Sequence, residues 1–115
     1  MRRNSRLRIR RGNSFFVYIE LSNESDYVWC SFGDHPVYLS YHWRSITGET
    51  ILNDGLRSPL TGQKLLPQDS APQKMLVSAP SDPGTYELVI TLVQEYVRWF
   101  EDIGFTSTSV AVDIV

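Results

Sequence analysis

Apolar and polar residues alternate along most of this chain with a period of two, which is typical of β-strands that bury one face. In residues 15–22, every second side chain is Phe, Val, Ile or Leu, and the intervening positions include Tyr, Glu and Ser. No segment repeats its apolar residues every 3.6 positions, as an amphipathic helix would. The segments that this alternation predicts as strands are residues 6–10, 15–22, 37–44, 73–79, 86–92 and 110–114.

Turn-forming residues separate these segments and indicate shorter elements between them. The Thr-Gly pair at 47–48 predicts a hairpin turn into a strand at residues 50–52. Prolines and glycines interrupt residues 53–72, where we expect loops and one short strand near residues 64–66. The residues expected to continue the long strand after residue 92, or to bulge from it, are Val97, Trp99 and Phe100.

Short strands without helices favour an all-β fold, an immunoglobulin-like or fibronectin III-like β-sandwich of seven to eight antiparallel strands. A small barrel is the alternative. Trp43 lies in the third predicted strand, where such a sandwich places its central aromatic residue. Tyr86 follows Pro83 and Gly84 at the start of a late strand, which predicts a tyrosine corner whose hydroxyl bonds back to the backbone. A single cysteine, Cys30, allows no internal disulfide, which favours the fibronectin III-like form.

The size and composition are those of one folded domain. The chain has 115 residues, of which 42% are hydrophobic and 21% charged. No apolar run reaches the roughly 18 residues of a membrane span, and the residues after Met1 do not resemble a signal peptide. We therefore expect a soluble domain in the cytoplasm, or in the periplasm if a larger parent chain is anchored in a membrane.

Charge is distributed unevenly along the chain. Residues 1–12 contain six arginines and no acid, whereas residues 13–115 hold the other five basic and all 13 acidic side chains, a net charge of −8. A basic run suits nucleic acid or an anionic membrane, but alternating arginines also suit the solvent face of an edge strand. We favour the second interpretation and expect no nucleic-acid partner. Residues 1–12 are then an edge strand or linker, and residues 13–115 the sandwich domain.

The sequence contains no motif for catalysis, metal binding or phosphate binding. It has no CxxC or HxxxH spacing, and Asp54 has no acidic neighbour within a short loop. The single glycines make no phosphate loop. Glu101 and Asp102 are adjacent and would point apart in an extended chain, so we expect a solvated turn there. We therefore predict that the domain is not an enzyme and uses no metal or cofactor.

A polar and aromatic patch is predicted on the outer face of one sheet. His42 alternates with the core residues of its strand, so it faces outward, in either a structural or a ligand-binding role. If this strand pairs with the long strand, the region of Glu95 shares that face. Arg57 either fastens its loop by a bidentate contact to Glu95 or Asp54, or belongs to a recognition site. The tentative ligand-binding residues are His42, Arg44, Asp54, Arg57, Glu95 and Trp99, and Tyr96 is expected beside them.

Three segments together resemble a known family. They are PVYLSYHW at residues 36–43, DGLRSPL at residues 54–60 and LVQEYVRWF at residues 92–100. In this order they are similar to an Ig-like accessory domain found in bacterial glycosyltransferases, methyltransferases and other proteins of surface-polysaccharide assembly. The similarity extends from about residue 15 to residue 112 and leaves the Arg-rich start outside. The resemblance implies the sandwich fold and a non-catalytic appendage, with no catalytic residue to carry over.

Two functions of different classes follow as hypotheses. The first is an accessory module that binds a glycan, or positions a partner enzyme domain of a larger parent chain, during bacterial surface-polysaccharide assembly. The second is a purely structural module for protein interaction, including a homodimer formed through an edge strand. A catalytic function would need His42 within hydrogen-bond reach of Glu95 at the bottom of a cleft.

Overall fold

The computed structural model describes residues 7–115, which form eleven strands and two 3₁₀ helices. The all-β prediction is confirmed, and the strands exceed the predicted number because four of them contain only two residues. The Arg-rich residues 1–6 lie outside the described residues. The 3₁₀ helices are Thr61–Gln63 and Phe100–Ile103. The strands are β1 (Leu7–Ile9), β2 (Ser14–Ser22), β3 (Trp29–Cys30), β4 (Val37–Ser45), β5 (Thr50–Leu52), β6 (Ser58–Pro59), β7 (Lys64–Leu65), β8 (Ser70–Ser78), β9 (Gly84–Gln94), β10 (Arg98–Trp99) and β11 (Thr108–Ile114).

The strands pack as a sandwich of one large sheet against a two-stranded one. The large sheet has the order β1-β11-β9-β4-β5, with β10 added to β9 and β6 to β4. The small sheet is the antiparallel pair β2-β8, and β3 and β7 form a separate short pair. All described pairs are antiparallel except β1 and β11, which run parallel, so the prediction of uniformly antiparallel strands is wrong at this edge.

Aromatic residues of β4 join the two sheets through the core. Tyr41 and Trp43 are 0% and 1% exposed. The Trp43 indole Nε1 donates to the Ser78 carbonyl oxygen at 2.9 Å, and the Ser78 backbone N–H donates to the Tyr41 hydroxyl at 2.9 Å. Both polar ends of these large rings are therefore satisfied within the core, as burial of Trp and Tyr requires. The central position predicted for Trp43 is confirmed.

The outer face of β4 and β9 is buried as well, under a second layer of chain. Ser40, His42 and Thr91 point away from the main core, yet they are 0%, 2% and 1% exposed. The layer above them consists of residues 53–57 and residues 98–103. Its second part arises because the chain reverses after β9, and β10 returns antiparallel along it. The expectation that Val97, Trp99 and Phe100 continue the long strand or bulge from it is therefore wrong, because the strand ends at Gln94.

The tyrosine corner provides a test of the fold. The Tyr86 hydroxyl donates to the Asp82 carbonyl oxygen at 2.8 Å, as predicted from the sequence. We expect Tyr86→Phe to lower the free energy of unfolding by about 0.5–1.5 kcal/mol, because it removes one hydrogen bond and no apolar surface. Urea denaturation measures this change. Tyr96→Phe is the matched control, since Tyr96 is 92% exposed, and an equal loss in both variants would contradict the assignment.

Candidate functional site

Most of the residues predicted as a site meet on the outer face of β4 and β9. Side chains from two separate segments reach this face and bond to the buried polar groups of the strands. We call the set the outer-face network. Its members are Ser40, His42, Asp54, Arg57, Thr91, Glu95, Trp99 and Glu101.

His42 is held at both ring nitrogens. Its Nδ1 lies 2.5 Å from the Asn53 carbonyl oxygen, which can only accept, so Nδ1 donates. Its Nε2 lies 2.6 Å from Glu101 Oε2, and the Thr91 hydroxyl donates to Glu101 Oε1 at 2.6 Å. One proton must therefore lie between Nε2 and Oε2, in a short bond strengthened by the carboxyl group. The arrangement fixes the ring and leaves neither nitrogen for a ligand.

Arg57 fastens the loop that follows β5. Its Nε donates to both oxygens of Glu95, at 3.3 and 3.2 Å, and one terminal nitrogen donates to Asp54 Oδ1 at 2.9 Å. The other terminal nitrogen donates to the Ser40 hydroxyl and to the Gly55 carbonyl oxygen. Burial alone would lower the pKa of Arg57, but the hydrogen bonds to Glu95 and Asp54, with their charges, raise it above the ordinary value. The contacts predicted for Arg57 are thus made to both carboxylates.

Trp99 connects the histidine and arginine halves of the network. Its ring centroid lies 4.5 Å from that of His42 in an edge-to-face arrangement. On another side, the Arg57 guanidinium carbon lies 5.0 Å from the Trp99 ring centroid, within cation–π range. Because β10 places Trp99 over the sheet, this ring covers His42 and excludes water from it.

Gly55 lets the loop approach β4 closely enough for these contacts. Its backbone N–H donates to the Tyr41 carbonyl oxygen at 3.1 Å, and its carbonyl accepts from the Ser40 hydroxyl at 3.2 Å. A Cβ atom at this position would lie 2.6 Å from the Tyr41 carbonyl oxygen, well inside contact distance. Glycine is therefore required by space at this position.

The structure gathers five of the six predicted site residues and leaves one apart. His42, Asp54, Arg57, Glu95 and Trp99 belong to the network, whose ligand-binding role stays a prediction. Among the described residues, Arg44 makes none of the network's hydrogen bonds and instead stands opposite Glu87. The shared exposed patch is not formed, because His42 is buried, whereas Tyr96 is 92% exposed at the hairpin tip.

Sequence reasoning missed Glu101. The expected solvated turn holds for Asp102, which is exposed, but the Glu101 side chain is only 25% exposed and bonds to His42. The 3₁₀ helix Phe100–Ile103 directs Glu101 back toward β4 and leaves Asp102 in solvent. The only sequence signal for this contact is the pattern Trp-Phe-Glu after the long strand. It can be interpreted only when the reversal of the chain before β10 is known.

An open cleft of about 900 Å³ lies at one end of the sandwich. The end of β2, the start of β4, the end of β9 and the start of β11 all border it. We call it the end cleft. Its lining residues are Glu20, Ser22, Glu24, Ser25, Tyr27, Val28, Trp29, Val37, Gln94, Arg98, Phe100, Ile103, Gly104, Phe105, Thr106 and Thr108.

Three aromatic rings form the apolar base of the end cleft. Trp29 packs edge-to-face against Phe100 at 5.3 Å and against Phe105 at 6.4 Å between centroids, and the two phenylalanines are 6.3 Å apart. Trp29 and Phe100 are 8% and 6% exposed, so this base is rigid and continuous with the core. Gly104 adopts a left-handed conformation with φ of 95° and turns the chain so that Phe105 returns to the cluster.

A buried amide positions the rim of the end cleft. Asn23 is 0% exposed, and its Nδ2 donates to the carbonyl oxygens of Tyr27 at 2.8 Å and Leu65 at 3.0 Å. Its Oδ1 accepts from the Ser25 backbone N–H and hydroxyl. The loop is therefore fixed, although the Tyr27 ring that it carries is 77% exposed. Residues 23–25, Asn-Glu-Ser, match a glycosylation sequon, and the structure places the amide of Asn23 in the interior.

Hydrogen-bonding side chains surround the aromatic base. Two carboxylates, Glu20 and Glu24, and one cation, Arg98, line the cleft with the Gln94 amide and several hydroxyls. The cleft thus combines an apolar surface with many donors and acceptors and a small negative charge. Such a combination can bind and orient a neutral, hydroxyl-rich molecule.

No protein-family model matches this chain, and no curated protein matches it significantly. The only helices within residues 7–115 are two single 3₁₀ turns, neither of which is long or apolar enough to cross a bilayer. Over the same residues, no three His, Cys, Asp or Glu side chains are grouped so that they could hold a metal ion.

The contact between His42 and Glu101 is testable by removing the carboxylate. We expect Glu101→Gln to lower the free energy of unfolding by about 1–2 kcal/mol, because a neutral amide replaces the short bonds of the carboxyl group to His42 and Thr91 by weaker ones. Asp102→Asn is the control in the adjacent exposed position and should change stability by less than about 0.5 kcal/mol. Urea denaturation of both variants measures the difference, and equal stabilities would contradict the network.

The close approach at Gly55 is testable by adding a single methyl group. Gly55→Ala should lower the free energy of unfolding by about 1–3 kcal/mol, since the new Cβ would push the loop away from β4. Leu56→Ala, at the neighbouring and 44% exposed position, should cost less than about 1 kcal/mol. Thermal denaturation of the two variants is the measurement. A Gly55→Ala variant as stable as the parent would show that the loop does not need this contact.

Proposed function

We propose that this protein is a non-catalytic accessory module that binds a carbohydrate chain in the end cleft. The observation that carries the proposal is the combination, in one open volume of about 900 Å³, of an aromatic base and a ring of hydrogen-bonding side chains. A sugar ring offers the complementary surfaces, because its C–H faces are apolar and its edge carries hydroxyls. The resemblance to accessory domains of surface-polysaccharide proteins supports the same ligand class.

The arrangement of the cleft favours a particular mode of binding. Tyr27 projects from a fixed loop at the rim, so an apolar sugar face can lie against its ring without ordering the loop first. The carboxylates of Glu20 and Glu24 accept hydrogen bonds from hydroxyls, and Gln94 and Arg98 donate. Since two carboxylates face one guanidinium, we expect neutral sugars to bind better than strongly acidic ones.

The end cleft is a better candidate for the ligand site than the outer-face network. The donors and acceptors of the network already bond to one another, and His42 is 2% exposed. A ligand would have to displace Trp99 and break these bonds before it gained any of its own. We therefore infer that His42, Asp54, Arg57, Glu95 and Trp99 act by holding the second layer in place.

The biological role that suits such a module is to hold a polysaccharide near an enzyme. In this proposal the module belongs to a larger assembly in bacterial surface-polysaccharide synthesis, on the cytoplasmic side of the membrane. It contributes affinity and orientation, and another domain contributes catalysis. The resemblance of residues 36–43, 54–60 and 92–100 supports this setting.

Replacement of the rim tyrosine tests the proposed site. Tyr27→Ala should weaken binding of neutral oligosaccharides, chosen from a bacterial surface-glycan array, by roughly tenfold, which is about 1.4 kcal/mol. Isothermal titration of the best array ligand measures the affinity. Tyr96→Ala is the matched control, because Tyr96 is 92% exposed, against 77% for Tyr27, and lies outside the cleft lining.

Comparison of the two tyrosine variants distinguishes binding in the end cleft from nonspecific binding to exposed aromatic residues. Equal weakening in both would contradict the end cleft as the binding site. Binding that is lost in a Trp99→Ala variant but retained in Tyr27→Ala would move the site back to the outer-face network. The absence of binding to every neutral and acidic glycan on the array would overturn the carbohydrate function itself.

A further inference from the structure

The two-stranded sheet has one edge that pairs with nothing in residues 7–115. Strand β2 pairs with β8 along all nine of its residues, Ser14–Ser22. The described residues contain no other strand beside β2, because β1 pairs with β11 in the opposite sheet. As far as residues 7–115 are concerned, the far side of β2 is therefore open along the full length of the strand.

Hydrogen bonds just beyond the ends of β2 show which backbone groups face this edge. The Ala79 N–H donates to the Asn13 carbonyl oxygen, and the Asn23 N–H donates to the Asp69 carbonyl oxygen. In an antiparallel ladder the residues that bond to the partner alternate with residues that bond away from it. Odd-numbered residues of β2 thus bond to β8. The residues that direct their N–H and C=O groups to the open edge are Ser14, Phe16, Tyr18, Glu20 and Ser22.

The opposite edge of the small sheet, along β8, is protected. The Leu76 N–H donates to the Ser58 hydroxyl at 3.0 Å, and the Ser78 N–H donates to the Tyr41 hydroxyl at 2.9 Å. Pro72 stands in the same alternation and has no N–H to offer. These devices prevent the addition of another strand to β8.

Strand β2 carries none of these devices. Its sequence, SFFVYIELS, has no proline, glycine or lysine and a single charge at Glu20. Phe16 and Tyr18 are 51% and 72% exposed on its outer side. A long edge strand that is rich in aromatic and β-branched residues is a template for strand addition.

We propose that β2 pairs with β2 of a second copy of this chain, antiparallel about a two-fold axis at Tyr18, and so forms a continuous four-stranded sheet across a homodimer. The edge is self-complementary, as an interface between identical chains must be. About this axis Tyr18 meets Tyr18 of the second copy, Ser14 faces Ser22 and Phe16 faces Glu20. Each edge N–H and C=O then finds a partner.

The charges on the outer face of the β2–β8 sheet favour a second copy of this chain as the partner of the β2 edge. The Lys74 ammonium lies 4.7 Å from the centroid of the Phe16 ring. Since Phe16 faces Glu20 of the second copy, each Lys74 comes close to a carboxylate of the other chain, and the two-fold axis repeats this contact. In this register no two like charges of β2 stand opposite each other, because Glu20 is the only charged residue of the strand.

Dimerisation through β2 is a separate property from the proposed carbohydrate binding and does not depend on it. Glu20 and Ser22 also line the end cleft, so the second copy would lie beside that cleft. The association is therefore measured without carbohydrate, and loss of the dimer leaves the proposed ligand site open to its own test.

Sedimentation velocity and light scattering over a concentration series test the interface. The parent chain should form a concentration-dependent dimer. Tyr18→Glu should convert it to a monomer, because two carboxylates would meet at the axis. Within one chain the new carboxylate stands opposite Lys74, the partner of residue 18 in the β2–β8 register, so we expect the monomer to remain folded. Circular dichroism checks that it does. Tyr96→Glu is the control at another exposed tyrosine and should leave the dimer unchanged.

A charge exchange tests the register independently. Glu20→Lys should weaken the dimer at least tenfold by placing two ammonium groups together, and the double variant Glu20→Lys with Lys74→Glu should restore it. Hydrogen exchange should show slower exchange, at high protein concentration, for the amides of residues 14, 16, 18, 20 and 22. The proposal would be overturned by a parent chain that stays monomeric or by a Tyr18→Glu variant that still dimerises. It would also be overturned if the exchange rates of these amides did not change with protein concentration.

Discussion

The architecture depends on the fact that the β4–β9 pair is buried on both of its faces. One face packs the main core, and the other carries Ser40, His42 and Thr91, which are polar and also buried. Buried polar groups must be hydrogen-bonded, or their desolvation destabilises the fold. The residues that satisfy them come from two distant segments, around Arg57 and Glu101. The need to pair three buried groups thus constrains how these two segments fold over the sheet.

This constraint connects the outer-face network with the end cleft. The 3₁₀ helix Phe100–Ile103 directs Glu101 to His42 and places Phe100 against Trp29 at the base of the cleft. A change in the network would therefore move an aromatic wall of the cleft. Under the proposed function His42 is a positioning residue, because it holds the 3₁₀ helix through Glu101.

The sequence predicted those elements whose causes are local. Alternation predicted β2, β4, β8, β9 and β11, and the Pro-Gly-Thr-Tyr turn predicted the bond made by Tyr86. The reversal before β10 was not predictable, because residues 95–97 contain no glycine, proline or asparagine, and Tyr96 takes a positive φ of 65° at the tip. Glu101 was missed for the same reason, since its partner His42 is 59 positions away and the intervening turn was unknown.

One choice of pairing accounts for both open features of the molecule. In a sandwich, the first strand can pair with the next strand in the small sheet or cross to the last strand in the large one. Here β1 pairs in parallel with β11, so within residues 7–115 β2 keeps an open edge and the small sheet has only two strands. A two-stranded sheet cannot cover the whole inner surface of a larger one. The end cleft opens where that cover stops, beside the last residues of β2. The end cleft and the unpaired edge of β2 are thus two consequences of the same missing neighbour.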